Sequence, residues 1–283
     1  MENQNPLKQY FRKPGIWIKL PSQGKFYNVK PSELNEMGEI PVFPMTAKDE
    51  LLVKNADALL NGSAIFQLIK SCVPCIENPE QMPSVDLDAV LVAVKRCTYG
   101  ENMDVTTVCT NCESKNEIRI NVNNLIAGIK VIEEVPPIEH ESGIKIFVRP
   151  ITVKNILDLN WVQYEQIRQI QMAEKKDLDD KQRSDILTNS YEKLTNMSLK
   201  VVAGAIETVL LPDGTTVNDR NMIEEWVKDL SKPEYSKLEK AIMDTNTAGI
   251  NKEIKVQCEK CQTVYESQLD LNPTTFFAWG FCR

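Results

Sequence analysis

The sequence predicts an α+β fold: short N-terminal strands and helices, then two Cys-bearing hairpins that bracket a mainly helical insertion. Three observations predict it. Residues 16 to 43 alternate apolar and polar residues between Pro and Gly signals, which is the two-residue period of short strands and turns. Segments from Thr46 to Ser71 and from Ser84 to Cys97, and most of Asn155 to about Asp244, read as helical instead. The third observation is a repeat: VTTVCTNCESKNEIRI at 105 to 120 returns as IKVQCEKCQTVYESQLDL at 254 to 271. With Cys109 set over Cys258 and Cys112 over Cys261, Val105 falls on Ile254, Ile120 on Leu269, Val122 on Leu271 and Asn123 on Asn272. The match runs through the flanking strands, so the repeated unit is a whole hairpin.

The elements follow in order. Thr46 is placed to cap a helix whose first turn holds Asp49 and Glu50, with Leu51 and Leu52 on it and Leu59 and Leu60 beyond a break. Ala64 to Ser71 reads as another helix. Ser84 begins the clearest one: SVDLDAVLVAVKRC has acids at its start, bases at its end, and Leu87, Val90, Leu91 and Val94 at helical spacing. After the first hairpin, VIEEVPPIEHESG reads as an exposed connector and IKIFVRPIT as a strand. The helical region beyond it is punctuated by one turn at LPDGTTVNDR, where Pro212 and Gly214 stand. QMAEKKDLDDKQRSD, in its middle, is charged enough to be a solvated helix end or loop. The expected organisation is a strand and helix region at 1–104, the first knuckle hairpin at 105–130, a strand plus mainly helical insertion at 131–250, and the second knuckle with an aromatic tail at 251–283.

The 283 residues, 42% of them hydrophobic, can bury a core without disulfide support. No apolar run reaches the roughly 18 residues of a membrane span, and MENQNPLKQYFRKPG lacks the apolar core of a signal peptide. A soluble protein of a reducing compartment is expected, with its eight cysteines as thiols or metal ligands. The net charge of −7 comes from interspersed acids and bases, which gives no support to nucleic-acid or membrane partners and suits protein partners.

Two thiolates separated by two residues on a tight turn can face one metal ion, and a second pair completes a tetrahedral site. The two hairpins are therefore expected to form a composite zinc ribbon in which Cys109, Cys112, Cys258 and Cys261 share one structural Zn²⁺. The rival readings are that each pair binds with a partner chain, or that the thiols are bare. Glu113 and Gln262 stand where knuckles often place Gly, at a position of positive φ. An ion shared in this way would clip the ends of the stretch between the knuckles against a closure cost of roughly 4 kcal/mol. Zinc binding in small folds, on the order of 10–16 kcal/mol, exceeds that.

Enzyme signatures are sparse. SCVPC holds Cys72 and Cys75, but the helix precedes the pair, so the dipole is at the wrong end to activate a thiol. Cys97 and Cys282 read as unpaired thiols. His140, the single histidine, has no Ser or Cys partner evident in the sequence, and no phosphate-binding glycine motif occurs. The pairs Asp49–Glu50 and Glu224–Glu225 read as solvated helix faces. No enzyme is expected. The closing segment PTTFFAWGFCR places Phe276, Phe277, Trp279 and Phe281 together, either folded onto the chain's own core near Trp17 and Phe26 or exposed as a partner anchor.

The run LPSQGKFY, GEIPVFPMTAKDELL, DALLNG, SCVP, DLDAVLVAVKRCTYG and CTNC, in that order over roughly residues 10 to 125, resembles the T4-type bacteriophage baseplate hub and hub-assembly proteins. The specificity lies in the order of these segments. The resemblance implies a part in forming the central hub of a contractile-tail baseplate, as a subunit or as a helper that leaves before the particle is complete. Its implied partners are other hub or tape-measure polypeptides. Its implied place is the cytoplasm of the infected bacterial host during assembly, or the virion tail baseplate. The alternative, from another class, is a zinc-ribbon nucleic-acid binder, which needs bases gathered at the knuckles. Lys115, Arg119, Lys252, Lys255 and Lys260 are instead offset there by Glu113, Glu117, Glu253, Glu259 and Glu266.

Overall fold

Alternation at the N-terminus becomes a two-stranded antiparallel sheet in the computed structural model, which describes residues 6–175, 179–271 and 276. Strand β1 (Ile16–Ile18) pairs with β2 (Ile40–Val42), Ile16 lying opposite Val42. Helix α1 (Ala47–Val53) starts where the sequence places a cap: Thr46 accepts from the Asp49 N–H while the Asp49 carboxylate accepts from the Thr46 N–H. After α2 (Ala56–Leu60), helix α3 (Ser63–Cys72) begins at Gly62, whose φ is +78°. A Cβ at Gly62 would lie 2.5 Å from a methyl of Leu157, so this glycine of DALLNG both turns the chain and admits a later helix.

Helix α4 (Ser84–Tyr99) is buried at nearly every position from Val85 to Lys95. A helix buried on nearly all sides belongs in the interior, and α4 is the axis of the first core, its Asp86 and Lys95 buried with the apolar residues. Around it pack Ile18, Ile40 and Val42 from the small sheet and Ile65, Leu68 and Ile69 from α3. The same core takes in residues remote in sequence: Val122, which opens the short helix α5 (Val122–Ala127), and Val153, Leu157, Ile250, Leu269, Leu271 and Phe276.

The second core forms on a four-stranded antiparallel sheet, β5 (Ile138–Glu139), β6 (Lys145–Val148), β7 (Ile206–Leu210) and β8 (Thr216–Val217), in that spatial order. Ile146 and Val209 face Ile223 and Val227 of α8 (Arg220–Asp229) and Leu238 and Ile242 of α9 (Lys232–Thr245). Here the structure departs from the sequence reading, which took the region as helices broken by one turn. IETVL is a strand because β6, some sixty positions earlier, supplies its backbone partners, and the LPDGT turn closes a hairpin with the Leu211 N–H donating to Thr215 O. A five-residue apolar segment carries no period long enough to separate strand from helix.

Between the two cores run the long helices α6 (Val153–Lys175) and α7 (Asp180–Gly204), packed along one another. Of the charged stretch at their junction, residues 176–178 lie outside the described residues, and Asp179 and Gln182 form a capping box at the start of α7. The structure is mixed α and β with small sheets, as the sequence predicts.

Candidate metal centre

The Cys hairpins have the same construction. β3 (Asn102–Val108) pairs antiparallel with β4 (Lys115–Asn121), and β9 (Glu253–Gln257) with β10 (Val264–Gln268). The last pairs before the turns, Val108 with Lys115 and Gln257 with Val264, occupy equivalent positions. In the first turn the Cys109 N–H donates to Ser114 O at 2.9 Å and the Glu113 N–H to Cys109 O at 2.9 Å. In the second, the Cys258 N–H donates to Thr263 O at 3.0 Å and the Gln262 N–H to Cys258 O at 2.9 Å. Glu113 and Gln262 both take φ of +58°, so the positive-φ position is kept without glycine, at about 1–2 kcal/mol each.

This folding brings all four sulfurs together. They lie within 4.8 Å of one another, with 3.6 Å between Cys109 and Cys261 Sγ and 3.6 Å between Cys112 and Cys258 Sγ. A tetrahedron with Zn–S bonds near 2.3 Å has edges of roughly 3.8 Å, so the donor set and its spacing suit a four-coordinate thiophilic ion. Cys109 and Cys258 are fully buried and Cys112 and Cys261 half-buried. The four are not alike electrostatically. Burial pushes Cys109 up to about 11, whereas the Ser114 hydroxyl draws Cys258 down to about 5 and the Thr263 hydroxyl draws Cys261 down to about 7.

Polar residues that the Cys spacing does not announce join the hairpins. Asn116 is 2% exposed, and all its polar capacity is engaged: Oδ1 accepts from the Glu259 N–H at 2.9 Å, while Nδ2 donates to Ser114 O and to the Tyr265 hydroxyl. The Tyr265 hydroxyl also meets Thr107 Oγ1 at 2.7 Å. The sequence did hold a signal. In KNEIRIN, Asn116 shares the inward phase with Ile118 and Ile120, where an apolar residue is the default.

The other candidates fall elsewhere. Cys72 and Cys75 are buried in the first core, and desolvation pushes their thiols up to about 12 and about 11. Cys97 is half-buried and its thiol is pushed up to about 11 by the same cause. His140 does have partners, against expectation from sequence: Ser142 Oγ lies 2.6 Å from Nδ1 and Glu234 Oε1 2.6 Å from Nε2. Nδ1 accepts the Ser142 N–H, so Nε2 carries the proton toward Glu234. The cavity beside it is about 20 Å³, room for about one water. Asp49 caps α1, and Glu224 pairs with Lys228 on α8. Of the aromatic tail, Phe276 is in the first core with the Lys95 ammonium 5.2 Å from its ring centre. Phe277, Trp279, Phe281, Asn272 and Cys282 lie outside the described residues. Among the described residues no helix is long and apolar enough to cross a membrane.

No curated protein and no solved structure matches this chain. A family model described as T4 bacteriophage base plate protein matches residues 14–278, a span that takes in both cores and both knuckles. On that match the chain belongs to the T4 bacteriophage base plate protein family.

Proposed function

We propose that the chain helps to build the hub of a contractile-tail baseplate, as a hub subunit or an assembly helper, and that Cys109, Cys112, Cys258 and Cys261 hold a structural Zn²⁺. Family membership supports the baseplate role, which means work against other phage structural proteins and a place in the virion tail. The observation that carries the zinc reading is the clustering of four sulfurs from hairpins whose facing cysteines are 146 and 152 positions apart. Four protein ligands leave no position for water or substrate, so such an ion braces the fold and the role is non-enzymatic.

Protein contacts are further supported by α6. It engages α7 on one side yet leaves Trp161, Tyr164, Ile167 and Met172 between 44% and 53% exposed. Clustered aromatic and Met side chains are the material of interface anchors. Three of the five bases near the knuckles are already paired, Arg119 with Asp104, Lys255 with Glu266 and Lys252 with Asp88, which weighs against a phosphate-binding surface.

The test has two parts. Elemental analysis of purified protein should find about one zinc per chain, lost in Cys109→Ser or Cys258→Ser; protein without zinc removes the metal reading. Mass spectrometry of finished virions beside assembly intermediates then separates the roles. A hub subunit is present in both and a helper only in intermediates; absence from both overturns the baseplate role.

A further inference from the structure

We propose that Ser114, assisted by Asn111, positions the thiolates of the second knuckle, so that the first knuckle sets the affinity and electronic character of the metal site. The inference rests on the zinc reading given above and deepens it. The two hairpins match in backbone, and each turn has its own contacts to sulfur, but the side-chain contacts that cross to the opposite knuckle's sulfurs come from the first hairpin. Ser114 Oγ lies 3.0 Å from Cys112 Sγ and 3.1 Å from Cys258 Sγ, bridging the knuckles. Asn111 Nδ2 lies 3.7 Å from Cys261 Sγ and 3.3 Å from Thr263 Oγ1, again across the junction, while its backbone N–H reaches Cys109 Sγ at 3.4 Å. In the repeat, Thr263 stands at the place of Ser114 and Lys260 at that of Asn111. Lys260 is exposed, and no hydrogen bond runs from its side chain to a sulfur among the described residues.

Ser114 is itself held in place. Its carbonyl accepts the Cys109 N–H at 2.9 Å and Asn116 Nδ2 at 3.1 Å, so the hydroxyl is aimed by the backbone of the turn. Four thiolates around a divalent cation carry a net charge of −2, and each donor to sulfur offsets part of that excess. The hydroxyl has one proton and serves one sulfur at a time, but either choice keeps it between the knuckles. Outer donors of this kind typically change metal affinity 10- to 100-fold when removed. Asn111 is exposed and its side-chain contact is long, so its share is smaller.

The experiment uses the full chain loaded with Zn²⁺ or, for spectroscopy, Co²⁺. Ser114→Ala should weaken zinc binding in chelator competition by about tenfold or more. It should also shift the thiolate-to-cobalt charge-transfer band to lower energy, since a sulfur without its donor gives up electron density more easily. Ser114→Thr should restore both, because Thr263 already fits the equivalent position in the second hairpin. A wild-type chain that takes up neither metal ends the zinc reading itself. Given a wild type that binds, an alanine variant unchanged in affinity and band position overturns this inference. Weaker binding with an unmoved band does so too, since that is the signature of lost folding stability alone.

Discussion

Three donors converge on the buried carboxylate of Asp86: the Ser22 N–H at 2.8 Å, the Ser22 hydroxyl, and the Tyr27 hydroxyl at 2.9 Å. This ties the LPSQGKFY turn to the first turn of α4, and it gives that segment a physical role. Desolvation outweighs the three bonds and pushes Asp86 up to about 6 from an ordinary 3.8. Between those values the folded protein keeps a proton that the unfolded chain has lost. Stability contributed here is therefore complete below about pH 4 and falls as pH rises to about 6, by roughly 3 kcal/mol for two pKa units. Asp86→Asn keeps a neutral acceptor, and the two hydroxyls can turn to accept from its amide. Denaturant titrations from pH 4 to 7 should show this fall in the wild type and a flatter profile in the variant. Equal slopes in the two proteins would place the titration on another group.

At the scale of elements, the α6–α7 pair carries a weakness in its seam. Gln166 and Ser190 are each 1% exposed, yet Gln166 Nε2 and Oε1 and Ser190 Oγ find no hydrogen-bond partner among the described residues. A buried amide left unpaired costs on the order of 1–3 kcal/mol. Gln166→Leu should therefore raise the melting temperature and slow hydrogen exchange along α6 and α7. A variant that melts lower than wild type would show that the amide has a partner in solution. The sequence displays this region as mainly helical with a charged stretch in its middle, but not the face Trp161 presents. That depends on which side of α6 the rest of the fold leaves uncovered.

Over the whole molecule, the second knuckle is held from two directions. Its sulfurs meet those of the first knuckle, and the chain just past β10 buries Leu269, Leu271 and Phe276 in the first core beside α4. Stripping the proposed Zn²⁺ with a chelator should free one hold and leave the other. Hydrogen exchange should accelerate in the turns at 109–114 and 258–263 and in the strands beside them, while α4 stays protected. Unchanged exchange at both turns would mean that no ion braces them.

The sequence by itself determined the local features. It displayed the cap of α1, the helical spacing of Leu87, Val90, Leu91 and Val94 in α4, and the repeated hairpin with its two Cys pairs, because caps, periods and spacings are set by residues within one or two turns of each other. Only the tertiary structure decided the rest: that IETVL is a strand, that Ser22 and Tyr27 serve Asp86, that His140 meets Glu234, and that Ser114 reaches a sulfur of the opposite knuckle. Each of those depends on a partner far away in the chain, and the energy of a hydrogen bond or a strand pairing does not exist until folding brings that partner within reach.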